Sequence, residues 1–306
     1  MIEYFAIIID LVKSKKMTDS ERYEAQEKLK NAINIINLLY KESIVKSMSF
    51  SAGDSVQGLF NNVKSTYNTF YLIQNLVFPY SVRCGIGQGQ VNEQLINRFK
   101  IDDSNAYDGK AYHLARSGLD LAREHNYQIY INSDSNKDFT INSLINDDIK
   151  VSMTLVRQAI YSIMNIIDPV VVECNVINSN YNDNVIGFIM KITGYYKEKS
   201  RVRSKIKDSE ENEPTEISES EIKELIELFQ QNSSEKYKTC QSRNFEVLSK
   251  NDSTISSDVR EILVKLTNST NQNVSSMIRT SKMDELRRKC IAKLNIVDHF
   301  YGGNPL

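Results

Sequence analysis

The chain has 306 residues, with 38 basic and 39 acidic side chains and a formal net charge of −1 at pH 7. This length exceeds that of a typical single core, so we expect two domains, or one domain with a long appendage. The balanced charge excludes a globally basic nucleic-acid coat, but not a local basic patch. Four cysteines without paired or metal-type spacing, and no Sec-like leader, predict a reduced, cytoplasmic protein without a membrane span.

The N-terminal third alternates apolar strands with amphipathic helices. Tyr4 to Ile9 is a nearly continuous apolar run, which is typical of a strand buried on both faces. Periodicity and turn residues predict seven further elements. They are a helix at Ser20–Tyr40, strands at Val45–Ser51 and Ser55–Phe60, a helix at Val63–Val77, a strand at Ser81–Gly87, a helix at Asp108–His125 and a strand at Gln128–Asn132.

This β-α-β-β-α-β-α-β order is that of a ferredoxin-like, palm-type arrangement. We therefore predict an α+β protein with an antiparallel sheet and helices on one face of that sheet. A mainly helical C-terminal region follows the sheet domain.

The second half of the chain reads as mainly helical. Val151–Ile167 is amphipathic, whereas the apolar runs Val170–Val176 and Val185–Ile192 fit either a strand pair or buried helical segments. The polar, acid-rich stretch at 205–221 indicates an exposed linker. The predicted domains are a palm-like domain at 1–135, a connecting segment at 136–204, the linker at 205–221 and a helical region at 222–306.

Two short helices are predicted near the C-terminus, at Ser256–Thr267 and Gln272–Thr280. The pair resembles a helix-turn-helix, whose second helix would present small polar side chains to DNA. The basic run Lys282–Lys293 favours this interpretation, and packing or dimerisation of a helical tail is the alternative. The candidate DNA-binding residues are Gln272, Asn273, Ser276 and Arg279.

Two aspartates mark a candidate site in the N-terminal domain. Asp10 ends the first apolar run, and Asp54 lies in a turn between the next two strands. If these strands are neighbours, both carboxylates lie on one sheet edge and could share a pair of divalent ions, Mg²⁺ or Mn²⁺. Taken singly, Asp54 also fits a hairpin turn, and Asp10 fits a strand end that caps the next segment.

Basic and glycine-containing segments accompany the aspartates. The lysines after Asp10 could hold a triphosphate or form a solvated loop. Arg83 precedes the glycine segment on its strand, where it could meet a phosphate or, as a strand-edge arginine, pair with an acid. The candidate nucleotide- or phosphate-binding residues are Lys13, Ser14, Lys15, Gly53, Arg83 and Lys110.

Four motifs stand out in the N-terminal part of the chain: Ile8-Ile9-Asp10-Leu11-Val12, Ser51-Ala52-Gly53-Asp54-Ser55, Arg83-Cys84-Gly85-Ile86-Gly87 and Asp108-Gly109-Lys110-Ala111-Tyr112. Together they resemble the bacterial SatD family, whose fold in turn is similar to the catalytic domain of class III nucleotidyl cyclases. The resemblance implies that Asp10 and Asp54 bind two metal ions. It also implies a homodimer in which a Gly-x-x-x-Asn-x-x-x-Arg segment supplies transition-state contacts from the partner subunit, and it assigns that role to His113 and Arg116.

The chain departs from the cyclase pattern at three positions. His113 stands at the Asn position, Arg116 comes one residue early after Gly109, and Phe50 replaces the purine-selecting lysine. The resemblance therefore does not define which nucleotide is bound. Two functions remain open: a metal-dependent nucleotide-binding protein, which would be a nucleotidyl cyclase or transferase if active, or a non-enzymatic nucleotide-sensing or DNA-binding regulator.

Overall fold

The computed structural model describes residues 2–91, 109–146, 153–169, 179–204, 218–227, 255 and 257–302. Contacts divide the chain into two units. Unit 1 comprises Met1–Val151 together with Ala292–Leu306, and unit 2 comprises Ser152–Ile291. Among the described helices, none combines the length and the apolar character that crossing a membrane requires.

Unit 1 is built on a five-stranded sheet in the order β2-β3-β1-β4-β5. The strands are β1 (Tyr4–Leu11), β2 (Ile44–Ala52), β3 (Ser55–Phe60), β4 (Val82–Gly89) and β5 (Ile129–Asn132). The apolar run of β1 occupies the centre of this sheet, where it pairs antiparallel with both β3 and β4. A continuous apolar run suits this place because both of its faces are buried.

Helices and a short turn connect the strands of unit 1. They are a 3₁₀ turn (Ser14–Lys16), α1 (Asp19–Leu39), α2 (Val63–Leu76), α3 (Lys110–Glu124) and α4 (Asp138–Asn146). The first helix begins at a capping box, in which Glu21 N donates to Thr18 Oγ1 and Thr18 N donates to the Glu21 carboxylate at 2.8 Å. This exchange satisfies two of the helix-end donors.

The α+β class is confirmed, and the strand order matches the ferredoxin-like arrangement. The sheet differs from the expectation in two respects. First, β5 pairs parallel with β4, so the sheet is mixed, because a strand-helix-strand connection through α3 returns the chain in the same direction.

The second difference is that helices cover both faces of the sheet. The face that carries Ala6 and Ile8 packs against α3. The opposite face, which carries Ile7 and Ile9, is also fully buried, and α1 and α2 supply its cover. A central strand that is apolar on both faces requires cover on each of them.

Glycines on β4 allow α3 to lie directly on the sheet. A Cβ added at Gly87 would lie 2.0 Å from the carbonyl oxygen of Ala111, and one added at Gly85 would lie 2.1 Å from that of Ala115. Both distances are far below a van der Waals contact, so only glycine fits. The helix therefore runs antiparallel to β4 at close range, with its C-terminal turn near Arg83.

All described secondary-structure elements of unit 2 are helices. Its elements are α5 (Leu155–Ile167), α6 (Ser179–Ser204), α7 (residues 219–227), α8 (Ser257–Thr267), α9 (Asn271–Thr280) and the first part of α10 (Met283–Tyr301). The run at Val185–Ile192 is therefore helical. The run at Val170–Val176 and residues 205–217 of the predicted linker lie outside the described residues.

The end of α10 is anchored in unit 1 by a buried acid. Asp138 accepts hydrogen bonds from the Tyr301 hydroxyl at 3.0 Å and from Ser133 N at 2.7 Å. Burial and the nearby Asp138 carboxylate raise the pKa of the Tyr301 phenol, so it remains a donor at neutral pH. Residues 292–302 thus complete unit 1 although they follow unit 2 in the chain.

Replacing Gly87 with alanine should destabilise the protein by about 3 kcal/mol, because the new methyl group collides with the backbone of α3. Gly194→Ala in α6 is the matched control: its Cβ meets no atom within 4 Å, and it should stabilise the helix by about 0.5–1 kcal/mol. Chemical denaturation measures both values. Equal stability of the two variants would contradict the close packing of α3.

Candidate functional site

The strand register brings the two predicted acids to one edge of the sheet. Asp10 lies opposite Ser55 in the β1–β3 pair, and Asp54 directly precedes Ser55 in the turn between β2 and β3. The Asp54 carboxylate is near enough to contribute to a raised pKa of Asp10. The hairpin turn and the end of β1 therefore place two negative charges side by side.

The two oxygens of the Asp10 carboxylate have different surroundings. Oδ2 accepts a hydrogen bond from Nη2 of Arg123, whereas Oδ1 is buried and has no hydrogen-bond partner among the described residues. The side chain is 16% exposed. Burial raises the pKa of Asp10, and this effect outweighs the lowering by Arg123 and Arg83. A charged group is thus held where its ionised form is costly.

Arg123 at the end of α3 was not identified from the sequence. Its guanidinium also donates from Nη1 to Asp120 Oδ1 at 2.6 Å, and its side chain remains 46% exposed. Helical periodicity could have indicated it, because Arg116, Asp120 and Arg123 follow an i, i+4, i+7 pattern along one helix face. Its pairing with Asp10 depends on tertiary packing and leaves no trace in local sequence.

Arg83 lies at the same edge as the two acids. It is directly opposite Asp10 in the β1–β4 register, so their side chains share one face of the sheet. Its Nε donates to the carbonyl oxygen of Tyr127 at 3.1 Å. Its positive charge lowers the pKa of Asp10, which makes it part of the electrostatic environment of the site.

Other predicted phosphate-binding residues lie in the turns that flank this edge. Lys13 has φ +60°, a left-handed conformation that is uncommon outside glycine, and it is exposed together with Lys15. Ser14 is half-buried, and its carbonyl oxygen accepts a hydrogen bond from Arg22. Gly53 has φ +61° in the hairpin turn, where glycine relieves the strain.

The three predicted residues on α3 lie elsewhere. Lys110 packs beside Gly89 and pairs with Asp134 at 3.1 Å. Gly89 lies opposite Tyr4, six residues before Asp10, which corresponds to about 20 Å along the strand. His113 and Arg116 are exposed on the outer face of the helix. Within one chain, the first turn of α3 is therefore distant from the Asp10 edge.

The donors at the Asp10 edge fit one divalent cation. Mg²⁺ favours one or two carboxylates together with phosphate oxygens and water. The buried Oδ1 of Asp10 requires a donor or a cation, and Asp54 forms no ion pair with a described residue. No group of three or more His, Cys, Asp or Glu side chains suited to a metal occurs among the described residues. Phosphate and water would thus complete the coordination.

The predicted helix-turn-helix residues lie in unit 2 beside a groove of about 780 Å³. Helix α9 begins at Thr270, whose hydroxyl accepts a hydrogen bond from Asn273 N at 3.2 Å. Asn273 is exposed. The groove is lined by Arg260, Gln272, Ser275, Ser276, Ile278, Arg279, Lys282, Asp284, Glu285 and Arg288.

Asp10→Asn is expected to raise the free energy of unfolding at pH 7.5 in the absence of divalent ions. Burial raises the pKa of Asp10, so the wild type loses stability as the pH rises through that value. Asparagine carries no such penalty and still accepts a hydrogen bond from Arg123. The difference between variant and wild type should shrink towards pH 4, as urea denaturation would measure. A variant that is less stable at both pH values would contradict a burial penalty on the Asp10 carboxylate.

Comparison with known proteins yields one clear relationship. No curated protein matches the chain. A solved structure, described as that of a bacterial light-regulated adenylyl cyclase, shares 15% identity over 42% of this chain and 42% of its own length, with a TM-score of 0.30. The model of the SatD family matches residues 4–164. Because that match spans more than half of the 306 residues, the chain belongs to the SatD family.

Proposed function

We propose that the Asp10 edge of the sheet binds the phosphates of a nucleotide together with one divalent cation, Mg²⁺ or Mn²⁺. The observation that carries this proposal is the buried Oδ1 of Asp10, which has no hydrogen-bond partner among the described residues and lies beside the Asp54 carboxylate. An unsatisfied buried carboxylate oxygen is costly, and such sites are retained where a ligand satisfies them. A bound cation would remove this cost.

Positive charges around the edge suit the phosphate part of the ligand. Arg83 is held on the same face as Asp10, and Lys13 and Lys15 project from the turn that follows β1. These groups can neutralise phosphate oxygens that the cation does not reach. The divalent ion, when bound, would itself supply charge neutralisation and an activated oxygen for nucleotidyl transfer or cyclisation.

Residues on the first half of α3 would act from a second copy of the chain. Lys110 and His113 lie in the turns of α3 that are remote from Asp10, about 20 Å away for Lys110, too far to contact a nucleotide there. A homodimer could bring them, with Arg116, to the opposite site. In that arrangement Arg116 would stabilise charge that develops in the transition state.

Asp10→Asn and Asp54→Asn should each lower the affinity for Mn²⁺-nucleotide at least about 10-fold, because the amide keeps the shape and loses the charge that the cation requires. Calorimetric titration with ATP, GTP, CTP and UTP in the presence of Mn²⁺ measures this, and chromatography of the mixtures identifies any product. Glu224→Gln, an exposed acid in unit 2, is the control and should bind as the wild type does.

The outcomes separate the two functional classes. A cyclic or transferred product identifies an enzyme, and binding without product identifies a nucleotide sensor. Wild-type protein that binds none of the four nucleotides with Mn²⁺ or Mg²⁺ would refute the nucleotide site.

DNA binding by unit 2 is a second candidate function, favoured by the charge of the groove beside α9. Four of its lining residues are basic and two are acidic, Asp284 and Glu285. Arg279 is exposed and forms no ion pair within the described part of the chain. Such a surplus of cations next to small polar side chains suits a phosphate backbone.

Arg279→Ala should weaken binding to a 30-base-pair duplex about 10-fold and reduce the slope of log K against log salt by about one. Lys265→Ala on α8, which removes a lysine paired with Glu261 outside the groove, is the charge-matched control. Fluorescence anisotropy at several salt concentrations compares them. The same affinity and salt slope for both variants would exclude the groove as a DNA-binding surface.

A further inference from the structure

We infer that Arg123 acts as the second cation of the nucleotide site, beside a single divalent ion, and that its guanidinium binds a phosphate of the ligand. The inference rests on the nucleotide site proposed above and specifies how that site is charged. It replaces a two-metal arrangement with one metal ion and one arginine.

The first step is the unequal use of the Asp10 carboxylate. Oδ2 already accepts a hydrogen bond from Arg123, and only Oδ1 lacks a partner among the described residues. Two metal ions bridged by this carboxylate in the common mode, one ion at each oxygen, would need both oxygens. One ion at Oδ1, with the guanidinium retained at Oδ2, uses each oxygen once.

The second step is the strength with which Arg123 is held. Asp10 and Asp120 both accept hydrogen bonds from its guanidinium, one at each terminal nitrogen. A metal ion at Oδ2 would have to share this oxygen with the guanidinium, and at that distance the two positive charges repel each other strongly in a partly buried site. Arg123 therefore excludes a second ion from this oxygen.

The third step is what remains free on the guanidinium. It carries five N–H groups in a fixed plane, and the two acids use one terminal nitrogen each. The side chain is 46% exposed, so a ligand can reach it, and the two ion pairs fix the plane of the guanidinium. A planar donor set that is already positioned suits phosphate oxygens better than a mobile lysine does.

A purely structural role is the rival explanation. The Asp10–Arg123 pair joins the end of α3 to the end of β1, and this alone could account for it. The two roles predict opposite effects on metal binding. Removal of a structural link should weaken every ligand of the site, whereas removal of a neighbouring positive charge should leave Mn²⁺ affinity unchanged or increase it.

The experiment titrates Mn²⁺ alone, monitored by electron paramagnetic resonance, and then tripolyphosphate in the presence of Mn²⁺, monitored by calorimetry. Wild-type protein should bind one Mn²⁺ per chain. Arg123→Gln should bind tripolyphosphate about 10- to 100-fold more weakly and bind Mn²⁺ at least as tightly. Arg123→Lys keeps the charge but lacks the planar set of donors. Its affinity for tripolyphosphate should therefore lie between those of the wild type and Arg123→Gln.

Glu124→Gln is the control at the neighbouring position, because Glu124 is exposed and makes no ion pair in the described part of the chain. It should bind tripolyphosphate as the wild type does. Thermal unfolding of each variant verifies that the fold is retained.

The possible results distinguish a failure of the inference about Arg123 from a failure of the proposed nucleotide site. Two Mn²⁺ per wild-type chain, an Arg123→Gln variant with unchanged tripolyphosphate affinity, or loss of both ligands in a folded variant overturns the inference and leaves the nucleotide site standing. Wild-type protein that binds neither Mn²⁺ nor tripolyphosphate overturns both.

Discussion

The close contact between α3 and the glycine-bearing face of β4 is the constraint on which the rest of unit 1 depends. Any side chain at Gly85 or Gly87 would enter the backbone of the helix. Because the helix lies so close and runs antiparallel to the strand, its last turn arrives at the end of β1, where Arg123 meets Asp10. The electrostatics of the candidate site thus follow from the absence of two Cβ atoms on a neighbouring strand.

Much of the sheet could be predicted because its signals are local. The apolar run of β1 indicates a central strand, and β3 was predicted with the bounds that the structure has, Ser55–Phe60. The parallel pairing of β5 and the position of α3 on the second face could not be predicted in this way. A helical period identifies the buried side of α3 but does not say which face of the sheet receives it.

The candidate site was predictable in part for the same reason. Asp10 and Asp54 follow from a strand end and a turn, both of which are visible in the sequence, and the register places them together. The partner that neutralises Asp10 lies 113 residues further along the chain, at the end of a helix that follows β4. Such a contact is determined by packing, so Arg123 could be recognised only once α3 had been placed.

The bond between Tyr301 and Asp138 has a consequence for how the chain folds as it is made. These residues are 163 positions apart, and the chain between them includes all of unit 2. At roughly 5–20 residues per second, synthesis takes on the order of 10–30 s to cross that distance. For that time the nascent sheet domain lacks the helical segment at residues 292–302, and the Asp138 carboxylate lacks the hydrogen bond from the Tyr301 hydroxyl. Its assembly on the ribosome is therefore a two-stage process, in which the sheet domain is completed only after residues 292–302 have been synthesised.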